Sequence, residues 1–311
     1  MIKKLGLLVL ILLSFGARAD DTTISIAFVG DVMLDETPGQ YIKQGKDPFK
    51  DFEKILAGSD LRIANLECVV SGKKGKAEEK PYAFKAHPRV LPVLKKHFSA
   101  VSLANNHSYD YGENTFLETL GLLEKAGLPY LGAGRDIVQA QEPKIFNVKG
   151  KKIALLAYNE FFPRSFEALT DRPGIAWSED EYVVYGIKRA KEFYGADYVI
   201  TYPHWGLEHR KIASPRQVHL ARLMIDSGAD AVVGGHPHVT QNIETYKGKP
   251  IFYSLGNFVF NGFTDDDSNT GWLVQLFIKN DEISWLVHEA KLNKLGVPKY
   301  SRSILASELV N

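Results

Sequence analysis

The sequence predicts an α/β protein, built either on one mixed sheet or on two sheets packed face to face with helices outside. Three observations carry this. Short apolar runs of about 4–8 residues alternate with helical patterns through most of the chain. The last third changes to paired runs joined by tight-turn residues. The 311 residues are 45% apolar and 24% charged, which suffices for a sizeable core.

Taken in order, "TISIAFVG" (23–30) reads as a buried strand ending at Gly30-Asp31, and "LRIANLE" (61–67) as a second ending at Glu67. "FSAVSLANNH" (98–107) is a third, ending at Asn105-Asn106-His107. "NTFLETLGLLEKAG" (114–127) is a helix with a glycine stop, and residues 179–194 form another. "DYVITYPHWG" (197–206) returns to strand and ends at His204. "SPRQVHLARLMIDSG" (214–228) carries Ser214 as N-cap, Pro215 at N1, Gln217 to complete a capping box, and Gly228 at C′. "ADAVVGGHPH" (229–238) is a further strand, ending at His236 and His238. Two hairpins follow, one turning at Lys247-Gly248 within 242–260 and one at an Asn-Asp turn within 271–292. The charged stretch "SGKKGKAEEK" (71–80) reads as a solvated loop. No repeat and no low-complexity linker divides the chain, so residues 20–311 are expected to form one domain.

The first 19 residues are expected to be a cleaved signal peptide. "MIKK" is a basic n-region, "LGLLVLILLSFG" an apolar core, and "ARA" an A-x-A site with cleavage after Ala19. The apolar run is short for a span, and a retained anchor is the alternative. This places the mature chain in the periplasm or outside the cell. Removing Lys3, Lys4 and Arg18 takes the formal charge from +1 to −2, so no global basic field attracts nucleic acid. Cys68 is the only cysteine, which excludes an internal disulfide framework, and it reads as a buried apolar residue.

Five strand ends carry side chains of metal-ligand type: Asp31, Glu67, Asn106 with His107, His204, and His236 with His238. Each has an ordinary reading alone, as a turn cap, a surface acid or a hydrogen-bonded core histidine. Recurrence at successive carboxyl ends, where α/β sheets bind ligands, makes a shared site the better reading. Carboxylates, imidazoles and an amide oxygen suit Mn, Fe or Zn, as one or two ions, rather than a soft-metal site. His236 and His238, two residues apart in an extended segment, are expected to face one side. Trp205, Glu208 and Asn257 fall near the same edge as substrate-contact candidates.

These motifs, in this order, resemble the calcineurin-like metallophosphoesterase superfamily and, more closely, the bacterial capsule-synthesis CapA family of poly-γ-glutamate synthesis. The resemblance rests on "FVGDVML" (28–34), "ANLECVV" (64–70), "SLANNHSYDYG" (102–112), "GAGRD" (132–136), "PGIAWS" (173–178), "YPHWGLEH" (202–209) and "GADAVVGGHPHVTQNIETYKGKPIFYSLGNFVF" (228–260), and covers residues 24–262. It implies a four-layer αββα sandwich with a two-metal site that activates water towards phosphorus. Glu67 would bridge; Asn106, His204 and His236 would complete one ion; Asp31 and His238 would serve the other. His107 would be the catalytic residue, protonating a leaving group or stabilising the transition state. Two departures stand out. Met33 occupies the place of a histidine in an Asp-x-His motif, and Glu67 that of an aspartate, so the site is expected to be degenerate. The resemblance further implies an exported protein of capsule or poly-γ-glutamate assembly, working on an anionic polymer beside membrane synthetase partners. An envelope hydrolase of phosphoesters or amides, and a metal-free polymer-binding module, are the other readings.

Overall fold

The computed structural model describes residues 22–309; the expected signal peptide, 1–19, lies outside the described residues. In chain order the strands of the two main sheets are β1 (Ile24–Val32), β2 (Leu61–Leu66), β3 (Ala100–Ser102), β4 (Tyr130–Leu131), β5 (Lys144–Val148), β6 (Lys151–Asn159), β7 (Tyr198–His204), β8 (Ala231–Val233), β9 (Ile243–Tyr246), β10 (Lys249–Phe252), β11 (Asn257–Val259), β12 (Thr270–Lys279), β13 (Glu282–Leu292) and β14 (Pro298–Ile304). The principal helices are α1 (Glu36–Lys43), α2 (Leu91–His97), α3 (Gly112–Ala126), α4 (Asp180–Glu192) and α5 (Pro215–Asp226).

The first sheet has the order β14-β13-β12-β1-β2-β3-β4, with β11 pairing β1 near its end. Strands β1 to β4 run parallel, while β12, β13 and β14 form an antiparallel meander against β1. The second sheet has the order β9-β10-β8-β7-β6-β5, with β6, β7, β8 and β10 parallel. Period-two alternation sorts the side chains between layers. Ile26 and Phe28 of β1 meet Leu155 of β6 and Ile200 of β7 in a core between the sheets. Ala27 and Val29 of β1 instead face Leu94 of α2 and Phe116 and Leu120 of α3. Leu156 of β6 and Val199 of β7 face Val183 and Ile187 of α4 and Leu220 and Met224 of α5. The layers are therefore αββα, with both sets of parallel strands delivering carboxyl ends to one edge.

Local chemistry explains the boundaries. Ser214 and Gln217 form the capping box at the start of α5, and Gly127 closes α3 in the left-handed conformation. The β12–β13 hairpin turns on Asn280 (φ 51°) and Asp281 (φ 62°), and the β9–β10 hairpin on Lys247 (φ 49°) and Gly248 (φ 76°), as I′ geometry requires. The sequence reading ran strands past their ends: β3 stops at Ser102 rather than at His107, and β8 at Val233 rather than at His238. The hairpin β5–β6 was not foreseen, although β6 supplies the second sheet's inner and outer core. No described helix is long and apolar enough to cross a membrane.

Candidate metal centre

An irregularity in β1 aims its acid at the site. Phe28 pairs with Ile63, but Asp31 pairs with Asn65, so β1 holds one extra residue over that interval. This bulge turns Asp31 to the side that Phe28 faces, towards the second sheet. Strand β1 thus continues to Val32, two residues beyond the sequence reading. The backbone N–H of Glu67 donates to Val32 O at 2.9 Å and holds the next acid directly beyond β2.

From the facing sheet, His204 ends β7, and the loop after β8 brings His236 and His238 alongside. Gly234 and Gly235 are needed for that approach. A Cβ at 234 would lie 2.2 Å from Tyr253 O, and one at 235 would lie 2.8 Å from Asp31 Oδ1. His236 (φ 96°) and His238 (φ 57°) are not extended. Both imidazoles reach the centre as expected, but through two left-handed residues around Pro237 rather than through strand alternation. Positive φ at histidine costs on the order of 1–3 kcal/mol and is held by the surrounding contacts.

The donors fall into two sets that share Glu67. In the first, His204 Nε2 lies 2.7 Å from Asn106 Oδ1, 3.1 Å from His236 Nδ1 and 3.7 Å from Glu67 Oε1. In the second, His238 lies 3.8 Å from Glu67 Oε1 through Nε2 and 3.5 Å from Asp31 Oδ2 through Nδ1. Glu67, His204 and His236 offer ligand atoms within 4.8 Å of one another, and so do Asp31, Glu67 and His238. Six sequence candidates, Asp31, Glu67, Asn106, His204, His236 and His238, therefore lie together at one edge.

The electrostatics fit a cation. Glu67 is fully buried, and neither of its carboxylate oxygens has a hydrogen-bond partner among the described residues. Burial pushes its carboxyl well above the usual range, and the neighbouring Asp31, Glu208 and Asp110 push it further. Burial also raises Asp31, against the opposing pull of His238, Asn65 and the His236 backbone. Burial holds His204 and His236 well below the ordinary imidazole value, aided by the other histidines. Neutral imidazoles around an orphaned carboxylate are a donor set suited to a divalent ion.

Further side chains surround the donors, and of these the sequence reading singled out only His107 for a role. Asn65 Nδ2 donates to Asp31 Oδ1 at 2.9 Å and lies 3.1 Å from His204 Nδ1. Asn105 Nδ2 donates to Asn65 Oδ1 and to Leu66 O, both at 2.9 Å. His107 places Nε2 3.9 Å from Glu67 Oε1, while its Nδ1 lies 2.7 Å from Asp110 Oδ2. Lys80 pairs with Asp110 and donates to Asn106 O at 2.9 Å, so one end of the 71–80 loop is tied to the site rather than solvated. The i, i+3 spacing of His107 and Asp110 was the available signal.

The substrate candidates separate. Asn257 is buried, with Oδ1 2.8 Å from His238 Nδ1, and orients that ring. Trp205 has no exposed surface; its indole donates to Tyr253 O at 2.8 Å and packs against helix α5's core. Glu208 is exposed and borders a cleft of about 400 Å³ with His107, His238, Tyr82, Phe84, Phe260 and Phe263. His209, which the sequence does not single out for the site, also lines the cleft. Met33 is fully buried in the sheet–helix core, with Asp35 N 3.2 Å from its sulfur, and Cys68 is buried as expected.

Comparison with known proteins assigns the family. The sequence matches the bacterial capsule synthesis protein family PGA_cap over residues 25–262, a span that contains every donor above. The chain belongs to that family. The PGA biosynthesis protein CapA of Bacillus subtilis is 36% identical over 271 residues, covering 84% of this chain and 69% of that protein. The capsule biosynthesis protein CapA of Bacillus anthracis is 33% identical over 275 residues, covering 84% of this chain and 66% of that protein. The chain thus spans about two thirds of the length of these relatives. A probable polyglutamine synthesis accessory protein of Mycobacterium tuberculosis is 31% identical over 215 residues, covering 65% of this chain and 56% of that protein. Among solved structures, Haemophilus influenzae NAD nucleotidase aligns at 14% identity and a TM-score of 0.48, covering 92% of this chain and 54% of that one.

Proposed function

We propose that this PGA_cap protein is an exported, divalent-metal-dependent component of capsule or poly-γ-glutamate assembly. The observation that carries the metal part is the buried Glu67 carboxylate, which has no hydrogen-bond partner among the described residues and is shared by two donor sets. Family membership supports the polymer part, and the leader-like first 19 residues support export. Asn106, His204 and His236 would hold one ion with Glu67, and Asp31 and His238 a second. Mn, Fe or Zn would suit these donors. Ions bound there supply an activated water and neutralise charge that develops on a substrate. In this reading the partners are an anionic polymer and membrane synthetase or export proteins.

The surroundings of His107 favour a second reading, hydrolysis of one phosphoester or amide group. Asp110 on Nδ1 orients the ring, leaving Nε2 towards Glu67 and the cleft, where it can pass a proton to a leaving group. The cleft is aromatic, with the carboxylates of Glu36, Glu208 and Asp265 on its lining. That lining suits a compact group better than a run of free carboxylates. One experiment addresses both readings. Replace the gene in the source strain with His204→Ala, His107→Ala or wild type, and measure surface poly-γ-glutamate. Polymer lost with both variants supports a reactive centre, and loss with His204→Ala alone supports a metal-dependent, non-hydrolytic role. Wild-type polymer levels with both variants would contradict the proposal.

A further inference from the structure

The two donor sets are unequal. Glu67, Asn106, His204 and His236 bring four side chains to one ion, whereas Asp31, Glu67 and His238 bring three. Met33, just beyond β1 and in the place of the motif's histidine, is closed into the sheet–helix core. The segment after β7 presents another carboxylate. Trp205 N–H donates to Gly235 O at 3.1 Å, and His209 N–H donates to Pro237 O at 2.8 Å. These bonds fasten 205–209 along 235–237. Gly206 (φ 88°) and His209 (φ 59°) supply the left-handed turns that the path requires. A Cβ on Gly206 would meet the Gln217 amide at 2.6 Å, so the loop is packed down as well as tied. Between these anchors stands Glu208.

We propose that Glu208 is a metal ligand, closing from the cleft onto the ion held by Asp31, Glu67 and His238. Glu208, His236 and His238 offer ligand atoms within 4.8 Å of one another. Two donors on one ion, each about 2.0–2.2 Å from it, stand at most about 4.4 Å apart, so a small side-chain movement suffices. Glu208 is exposed and makes no hydrogen bond or ion pair among the described residues, so nothing has to break before it moves. Its carboxylate also completes a fourth side-chain donor for the poorer set. The loop then couples metal occupancy to the shape of the cleft, because His209, next in sequence, lines the same space.

The assignment rests on the metal reading above, and the test separates the two. Titrate metal-stripped full-length protein with Mn²⁺ by calorimetry, and follow the Mn²⁺ resonance signal for two coupled ions. Compare wild type with Glu208→Gln and with Glu36→Gln, which removes another cleft carboxylate of the same charge. Wild type should bind two ions. Glu208→Gln should weaken the poorer site by roughly tenfold or more and lose the coupled signal, while the tighter site is unchanged. Glu36→Gln should leave both affinities within about threefold. Because Glu208 is exposed and unpaired, the metal-free Glu208→Gln protein should melt as wild type does. Two ions bound equally well by Glu208→Gln, or equal losses in Glu208→Gln and Glu36→Gln, would overturn this assignment alone. A wild type that takes up no Mn²⁺ would overturn the metal reading and this assignment with it.

Discussion

Replacing Glu67 by glutamine should make the metal-free protein more stable and deaf to divalent ions. The carboxyl is fully buried, with no hydrogen-bond partner for either oxygen among the described residues, and Asp31, Asp110 and Glu208 nearby oppose its ionisation more than Lys80 favours it. With its carboxyl pushed well above the usual range, the metal-free protein must take up a proton there to fold, which costs a few kcal/mol at neutral pH. Glutamine keeps the shape, needs no proton, and leaves an unpaired amide that costs about 1–3 kcal/mol. The expected gain is about 2 kcal/mol, or roughly 3–4 °C in melting temperature for a domain of this size. Metal reverses the order. An ion at a hundredfold excess over its dissociation constant stabilises wild type by about 2.7 kcal/mol per site. The variant lacks the shared donor and should show no shift. Thermal melts with chelator and with Mn²⁺ would read both effects. A Glu67→Gln protein that melts below wild type in chelator, or that keeps a metal-induced shift, would refute the reasoning.

Three further outcomes follow from the same geometry. His236→Ala should lose more metal than His238→Ala by elemental analysis, because His236 belongs to the four-donor set; equal losses would contradict the division into two sets. Asp110→Asn should release the His107 ring from its Nδ1 partner and lower capsule complementation while Mn²⁺ affinity stays near wild type; a parallel loss of metal would make Asp110 a support of the donors instead. Burial pushes the His288 imidazole down to about 4, between Gln275 (2.8 Å) and Ser303 (2.9 Å). The unfolded chain therefore binds a proton that the folded one refuses, and stability should fall by roughly 2–3 kcal/mol as pH drops from 6.5 to 4. Denaturant unfolding of His288→Gln should show a shallower acid loss than wild type, and identical pH profiles would refute the attribution.

The sequence made the candidate donors legible because each sits directly after an apolar run, and parallel strands send such ends to one edge. It made the hairpin turns legible because Asn280-Asp281 and Lys247-Gly248 suit left-handed backbone. It hid what depends on register and on loop path. The bulge before Asp31 leaves no compositional mark, so β1 was expected to end early. Asn65, inside an apolar strand, reads as an ordinary polar interruption, yet it links Asp31 to His204. Lys80 lies in a charged run whose other lysines are exposed, and only the fold shows that it meets Asp110. His236 and His238 converge for a reason that spacing did not supply, since the backbone there is left-handed rather than extended.

Anomalous diffraction at the manganese edge, from crystals of the protein grown with Mn²⁺, tests the central claim most directly. The account predicts two peaks flanking the Glu67 carboxylate, one in contact with Asn106, His204 and His236 and the other with Asp31 and His238. Well-ordered crystals with no peak at Glu67, or with Mn²⁺ bound only elsewhere, would contradict it.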